Sequence, residues 1–403
     1  MRPGARVMIL PAGIEQVFVI RKARALGLFV VAVDANPDAP GFADADATAI
    51  AAPRDIDRCL AIARQHAVDA VVADQCDYSL FASACIADLL GLHAPSVESA
   101  QLATNKRLMR ERVERAGLAQ PAFRACRTFE EAEAALAVTG LPAIFKPTDN
   151  RGCFGVSTAR TAADAKESFY DALMNAHSRE AIVETFLEGT MVTVDGYFFA
   201  PDHYLALGVA TKRKVGGRRN VDMEVMYPAE LPEAAIARVL EYNRRTVKAL
   251  GLSFGATHGE YLVTADGTPY LIEVANRGGG VYTAPLIVPS LSNAPIPELL
   301  IRNAFGEFPA PEGVEAAPQG RSTVLSFIDF GMRGTLEHVG GVEAALAIPG
   351  VLAVHLLTPV GQPLPDITHG PSRHGFVIAT AATAAASRAL VGRVRDTLQV
   401  RVR

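Results

Sequence analysis

Tryptophan is absent from the 403-residue chain, and aromatic residues are few. Positive charge is not in excess either: 39 Lys and Arg stand against 43 Asp and Glu, a formal net charge of -4. A nucleic-acid partner is therefore not expected, because neutralising phosphates takes a basic face, and the one dense basic run, residues 212–219, is short. The five cysteines, Cys59, Cys76, Cys85, Cys126 and Cys153, are odd in number and never spaced as C-x-x-C. That argues against a disulfide framework and a zinc site, and a reducing, cytoplasmic setting fits. No membrane association is expected. Pro11 interrupts the N-terminal segment before a signal-peptide core is long enough, and no apolar run approaches about eighteen residues. Internal repeats and long low-complexity segments are missing as well.

What is present is the balance of a globular protein, half apolar and one fifth charged, at a length that calls for two or three compact units. Apolar runs at 7–10, 29–33 and 70–73 alternate with helical periodicity at 15–26, 56–66 and 80–90, which predicts a doubly wound, Rossmann-like α/β unit over residues 1–100. Its first turn, residues 11–16, holds one glycine where a dinucleotide fingerprint needs three, so an NAD site is excluded. Asp34, after the second strand, is read as a strand-end cap. Residues 101–305 intersperse helices with hairpin-like strands, an α+β pattern. The stretch 305–319, with Pro309, Pro311 and Pro318, reads as a linker into a C-terminal α+β unit over 306–403. Strands at 322–327, 351–358 and 375–380 and an alanine-rich helix at 382–395 are expected there.

The most informative passage is 258–277, two apolar strands around the turn dipeptide Asp266-Gly267. A two-residue turn sets Val263 opposite Tyr270 and Glu260 opposite Glu273, with Leu262 and Leu271 on the same face as the carboxylates. Like charges opposed across a sheet repel, and apolar neighbours weaken the screening, so the pair wants a cation. Two hard oxygen ligands point to Mg²⁺ or Mn²⁺ bound together with substrate phosphates. Asn276 offers a further amide oxygen, Arg277 an anion contact, and Gly278 to Gly280 a backbone that a ligand can approach closely. Upstream, Lys146 ends an apolar strand and precedes a loop punctuated by Gly152 and Gly155, a point cation beside backbone N–H groups of the kind that cradles phosphates. Lys106 opens a helix over 106–116. Residues 182–189 run from a strand into a turn, where Glu184 and the backbone at Phe186 and Leu187 are placed to line an apolar slot for adenine.

Taken in order, Lys106, Lys146 with its loop, Glu184 to Leu187, Glu260, Glu273 and Arg277 resemble the ATP-grasp superfamily, over nearly the whole chain. Within it, Thr257-His258-Gly259-Glu260 followed by Ile272-Glu273-Val274-Ala275-Asn276-Arg277 is most similar to the L-amino-acid (dipeptide) ligases. The formate-dependent glycinamide ribonucleotide transformylase and biotin carboxylase are more distant, and no biotinyl-lysine context is found. The resemblance implies a pre-ATP-grasp domain, a two-lobed ATP-grasp domain with the glycine loop as lid, and a small C-terminal domain. It also implies that Lys106 and Lys146 contact phosphates, that Gly152 and Gly155 belong to the lid, and that Glu184, Phe186 and Leu187 hold the base. Glu260, Glu273 and Asn276 would be the magnesium ligands, and Arg277 the catalytic residue facing the substrate carboxylate and acyl phosphate.

The implied activity is a cytoplasmic, ADP-forming ligase that uses ATP and Mg²⁺ to join a small-molecule carboxylate to an amine through an acyl phosphate, and the resemblance suggests a homodimer. Two positions depart from the common pattern: Ala275 stands where many members have asparagine, and Met191 where many have an acidic ribose contact, leaving ribose to Glu188 or to backbone. The run 212–219 is read as a loop that closes over the triphosphate or an acidic substrate, or else as a solvated face. His258 is read as a satisfied core histidine, or else as orienting Glu260 or substrate, and Arg373 as reaching the site from the C-terminal unit. The competing readings are a purine-pathway enzyme using formate or bicarbonate, and a regulator that grips ATP without turnover.

Overall fold

The computed structural model describes residues 1–214, 221–316 and 320–403. The chain opens with β1 (Arg6–Ile9), α1 (Val17–Ala25), β2 (Phe29–Asp34), β3 (Ala47–Ile50), α2 (Ile56–Gln65), β4 (Ala70–Val72) and α3 (Asp77–Leu90). The four strands form a parallel sheet in the order β3-β2-β1-β4. Val7, Ile9, Val30 and Ala32 pack on one face against Val19, Ile20 and Ala23 of α1, while Met8, Leu10, Val31 and Val33 pack on the other against Cys59, Ile62 and Ile86. A sheet covered on both sides needs continuous apolar strands, which is why these runs were readable. The edge strand β3 was not foreseen, because Ala47 to Ile50 alternates between half-buried and exposed and carries little apolar signal.

After α4 (Val97–Thr104) and α5 (Lys106–Arg115) come β5 (Phe123–Cys126), α6 (Phe129–Thr139), β6 (Ala143–Pro147), β7 (Ser157–Ala159), α7 (Ala162–Asn175) and β8 (Ala181–Thr185). Their strands pair antiparallel in the order β5-β8-β6-β7. Phe145 and Val183 on one face of this sheet pack against Ala132 and Ala135 of α6 and Phe169 and Ala172 of α7.

The largest sheet begins with β9 (Thr190–Ala200), β10 (His203–Lys214) and β11 (Asp222–Tyr227). After α8 (Glu233–Ala249) come β12 (Gly255–Val263) and β13 (Pro269–Ala275), then α9 (Val288–Ser292) and α10 (Ile296–Ala304), whose Leu300 and Ile301 return to cover the first sheet. The C-terminal elements are β14 (Ser322–Ile328), β15 (Leu336–Gly340), α11 (Val342–Leu346), β16 (Val351–Leu356), β17 (Gly375–Ala381), α12 (Ala384–Thr397) and β18 (Gln399–Val402). Eight strands hydrogen-bond in the order β13-β12-β9-β10-β11-β14-β17-β16, and β15 pairs with β18 apart from them. The C-terminal strands thus extend the central sheet: β14 lies antiparallel on β11, with Glu224 opposite Ser326 and Tyr227 opposite Thr323. An exposed β11 edge would leave a row of backbone groups unpaired, and β14 satisfies them. Residues 317–319 of the expected linker lie outside the described residues. Among the described residues no helix is long and apolar enough to cross a membrane.

Candidate active site

Glu260 on β12 and Glu273 on β13 are cross-strand partners, but not by way of a two-residue turn. The strands stop at Val263 and Pro269, and Thr264 N–H donates to the Thr268 carbonyl across a five-residue loop. Val263 therefore faces Pro269 and Leu262 faces Tyr270, one position out of the expected register. A bulge at Ile272 restores it, so that Tyr261 faces Leu271 while Glu260 faces Glu273. The bulge also corrects the expected neighbourhood. Leu271 joins Tyr261 in the core beneath the hairpin and does not share the carboxylates' face with Leu262.

Arg110 holds the bulge. It lies on the buried face of α5 beside Met109 and Val113, is 1% exposed, and donates Nη1–H to the Leu271 carbonyl at 2.8 Å and Nη2–H to the Ile272 carbonyl at 3.0 Å. Its Nε–H donates to Glu184 Oε1 at 2.9 Å, and Lys146 Nζ stands 2.7 Å from Oε2 of the same carboxylate. Burial pushes the Glu184 carboxyl up, but Arg110 and Lys146 outweigh it and hold it at about 2. Lys146 moves down, because burial and the competing Arg110 charge exceed what one shared carboxylate returns. The expectation that the Glu184 side chain contacts adenine is corrected accordingly: both its oxygens are engaged inside the fold. Phe186 and Leu187 lie half-buried in the turn beyond β8, with Phe186 N–H donating to the Pro142 carbonyl at 3.2 Å, and Glu188 is exposed.

Each metal-candidate carboxylate is met by a lysine. Asn105 caps α5 by accepting from Leu108 N–H, which sets Lys106 at the first helical position, and Lys106 Nζ donates to Glu273 Oε1 at 2.9 Å and to the Asn150 carbonyl at 2.8 Å. Burial lowers the Lys106 ammonium, yet Glu273, Asp77 and Glu184 together raise it above the ordinary lysine value. Lys212, on β10, donates to Glu260 and lies 3.4 Å from Asp222. Glu260 is held well below the usual carboxylate range: burial opposes this, and Lys212 and His258 overcome it. His258 Nδ1 stands 2.8 Å from Asp195 and Nε2 3.6 Å from Glu260, so the imidazole braces the carboxylate from behind. Of the basic run, residues 212–214 end β10 and residues 215–219 lie outside the described residues.

Arg277 makes a bidentate pair with Asp77 at the start of α3, both contacts 2.9 Å, and donates to the Gly278 carbonyl at 3.0 Å. Three of its five N–H donors are thereby placed, and burial, which lowers its basicity, is outweighed by Asp77. Asn276 Nδ2 donates to the carbonyls of Phe254 and Ala256, at 2.7 and 3.2 Å, while Oδ1, the oxygen expected to reach a metal, is buried with no partner among the described residues. The Gly278 to Gly280 loop runs tight beneath His258: a Cβ at Gly279 would stand 2.8 Å from His258 Nδ1. In the other loop Gly152 and Gly155 have φ of +66°, and a Cβ at Gly155 would lie 2.8 Å from Asn175 Cβ. The ring of Phe154 in that loop lies 4.9 Å from the ring of His369 in the C-terminal unit. Arg373 lies in the same C-terminal loop.

Among the described residues no three His, Cys, Asp or Glu side chains gather to cage a metal. Two facing carboxylates, each paired with a lysine, instead fit a hard divalent ion that keeps phosphate oxygens for its other positions. Sequence reasoning did not single out Arg110, Asp77 or Asp195. A charged residue on the apolar face of α5 was the available signal for Arg110, whereas Asp77 meets Arg277 only through the fold.

Residues 139–284 match the family described as ATP-grasp domain, and residues 326–403 match L-amino acid ligase C-terminal domain 2. The uncharacterized protein y4rH of Sinorhizobium fredii is 27% identical over 318 residues, 76% of this chain and 63% of that protein, so the chain spans less than two thirds of y4rH. A formate-dependent phosphoribosylglycinamide formyltransferase of Erythrobacter litoralis is 29% identical over 279 residues, 65% of this chain and 68% of that one. The crystal structure of an L-amino acid ligase from Bacillus licheniformis superposes with a TM-score of 0.83 at 21% identity, covering all of both chains. The expected fold is therefore what is found, with residues 139–284 matching an ATP-grasp domain and residues 326–403 an L-amino acid ligase C-terminal domain.

Proposed function

We propose that the protein is an ATP-dependent carboxylate–amine ligase that forms an acyl phosphate, releases ADP and phosphate, and joins L-amino acids. The observation that carries this reading is the opposed pair Glu260 and Glu273, each already neutralised by a lysine that a metal–triphosphate complex can replace. Glu260 and Glu273 would hold Mg²⁺, which supplies charge neutralisation on the transferring phosphoryl group. Released from Glu273, Lys106 is free to follow a phosphate oxygen, while Lys146 stays paired with Glu184 at the end of β6. Catalysis of this transfer is mostly positioning and electrostatics, and both are supplied by groups locked in the fold.

In the first step a carboxylate oxygen of one substrate attacks the γ-phosphorus, the bond to the bridging oxygen breaks, and ADP leaves. In the second, the neutral amine of the other substrate attacks the acyl carbon, the bond from that carbon to the phosphate oxygen breaks, and the proton lost by nitrogen passes to the departing phosphate. The two Arg277 donors not committed to Asp77 and Gly278, with the backbone of Gly278 to Gly280, are placed for the developing oxyanion. The loop bearing Gly152 and Gly155 is placed to keep water from the acyl phosphate.

The test is ADP release from Mg·ATP with pairs of L-amino acids, compared with single amino acids, formate and bicarbonate, with mass spectrometry of the product. ADP formed only with pairs, with a product equal to the two acids less one water, supports the reading. Formate-dependent ADP release with a phosphoribosyl amine would move the protein to the chemistry named for its Erythrobacter relative. Flat ADP production in every arm would leave an ATP-binding regulator.

A further inference from the structure

Arg373 has no part in the chemistry above, yet its position at the site is unusual for a guanidinium. It follows the short 3-10 turn Gly370–Ser372 in the loop that meets the glycine lid. Its guanidinium carbon lies 3.6 Å from the ring centroid of Phe327, a residue of β14 packed in one cluster with Tyr282 from the turn beyond Arg277. The aromatic face fixes the plane of the fork. A Cβ at Gly370 would stand 3.5 Å from Arg373 Nη1 and 3.9 Å from the Gly152 carbonyl, which puts the guanidinium beside the lid. Among the described residues no carboxylate pairs with it, and its Nε is buried without an acceptor.

Asp222 starts β11, which runs antiparallel to β14, so it lies at the end of that strand pair where Phe327 carries the Arg373 guanidinium. One oxygen of Asp222 lies 3.4 Å from Lys212, and the other, Oδ1, is buried without a donor among the described residues. A buried orphan donor and a buried orphan acceptor therefore lie at the same end of the β11–β14 pair without bonding to each other. Orphaned buried groups are costly, and a ligand that satisfies both recovers that cost. Lys212 links Asp222 to Glu260, so the pair adjoins the phosphoryl-transfer end of the site.

We propose that Arg373 and Asp222 form the subsite for a zwitterionic α-amino acid, with the α-carboxylate on the Arg373 fork and the α-ammonium on Asp222 Oδ1. The C-terminal unit thereby sets specificity, requiring a free carboxylate on the second substrate. A bidentate guanidinium–carboxylate contact selects a planar anion in a way that a lysine cannot reproduce. This assignment rests on the ligase reading for what lies at Glu260 and Glu273, but its test reads binding and not turnover.

The experiment is calorimetric titration of the full chain, loaded with Mg²⁺ and a non-hydrolysable ATP analogue, first with each of the twenty common amino acids. The best binder is then compared with its carboxamide, its decarboxylated amine and phosphoethanolamine. In the wild type the acid should bind roughly 10- to 100-fold more tightly than the amide, the range of a charged hydrogen bond. Arg373→Ala should erase that preference while leaving amide affinity unchanged, and Arg373→Lys should restore only part of it. Asp222→Asn should weaken acid and amide alike. Should Arg373→Ala not fold, Arg373→Lys carries the same comparison. The proposal is overturned if no amino acid binds, if Arg373→Ala and Arg373→Lys keep the full acid-over-amide preference, or if phosphoethanolamine binds more tightly than the acid. ADP release that persists with an unchanged preference sinks the subsite alone, and a lost preference without any ADP release sinks the ligase reading alone.

Discussion

Two groups of carboxylates and cations lie on strands of different sheets but share helix α5, which gives Arg110 to one and Lys106 to the other, and they differ in access to water. The Glu184 side chain is 3% exposed, with Arg110 at 1% and Lys146 at 6%, so that trio is sealed. Glu260 and Glu273 are 26% and 28% exposed, each with one lysine. A sealed carboxylate between two cations cannot exchange partners without stranding a buried charge, whereas a part-open pair can trade a lysine for another cation at small cost. Burial thus separates a fixed frame from an exchangeable site, although both are built from the same residue types.

That contrast is broken most severely by Glu184→Ala. Two buried cations lose their shared anion, and the expected loss is about 3–5 kcal/mol in urea unfolding. Glu260→Gln and Glu273→Gln should cost less stability than Glu184→Ala while cutting Mg²⁺-dependent ADP release by about 100- to 1000-fold. A large unfolding shift in either glutamine variant would erase the distinction. Acid sharpens it. The Glu184 carboxyl is held at about 2 against an ordinary 4.5, so its contribution is complete above about pH 4.5 and fades as the pH falls toward 2. Over that window the wild type should lose about 3 kcal/mol that Glu184→Gln does not, read from urea midpoints at each pH. Smallest is Asn276→Ala, expected to cost about 1–2 kcal/mol through the Phe254 and Ala256 carbonyls it leaves bare. The Mg²⁺ concentration for half-maximal rate should stay unchanged if Asn276 serves only these carbonyls, and a rise there would make its free Oδ1 a metal ligand.

The two-residue turn is absent, so the facing of Glu260 and Glu273 depends on the bulge, and only their place on the two strands of one hairpin was legible. The bulge that secures the facing was not, since Ile272 is pushed out by donors from Arg110, more than 150 positions away in the chain. The parallel strands of the first sheet were legible because both faces are covered and apolar residues run unbroken, while β3, at its edge, left no such trace. Glu184 was read as facing a ligand because it stands at a strand end, and only the Arg110 and Lys146 contacts show it turned inward. Arg277 was identified from its glycine neighbours, but Asp77, which orients it, is a tertiary partner that no spacing in the sequence marks.

Strand β14 is stitched along β11 by backbone pairing from Glu224 to Tyr227. Removing everything after residue 320 would therefore leave a raw ribbon border beside Lys212 and Asp222, open to any other extended chain. An excised nucleotide-gripping fragment should clump or swap strands with its copies, so the tail cannot be regarded as a dispensable appendix.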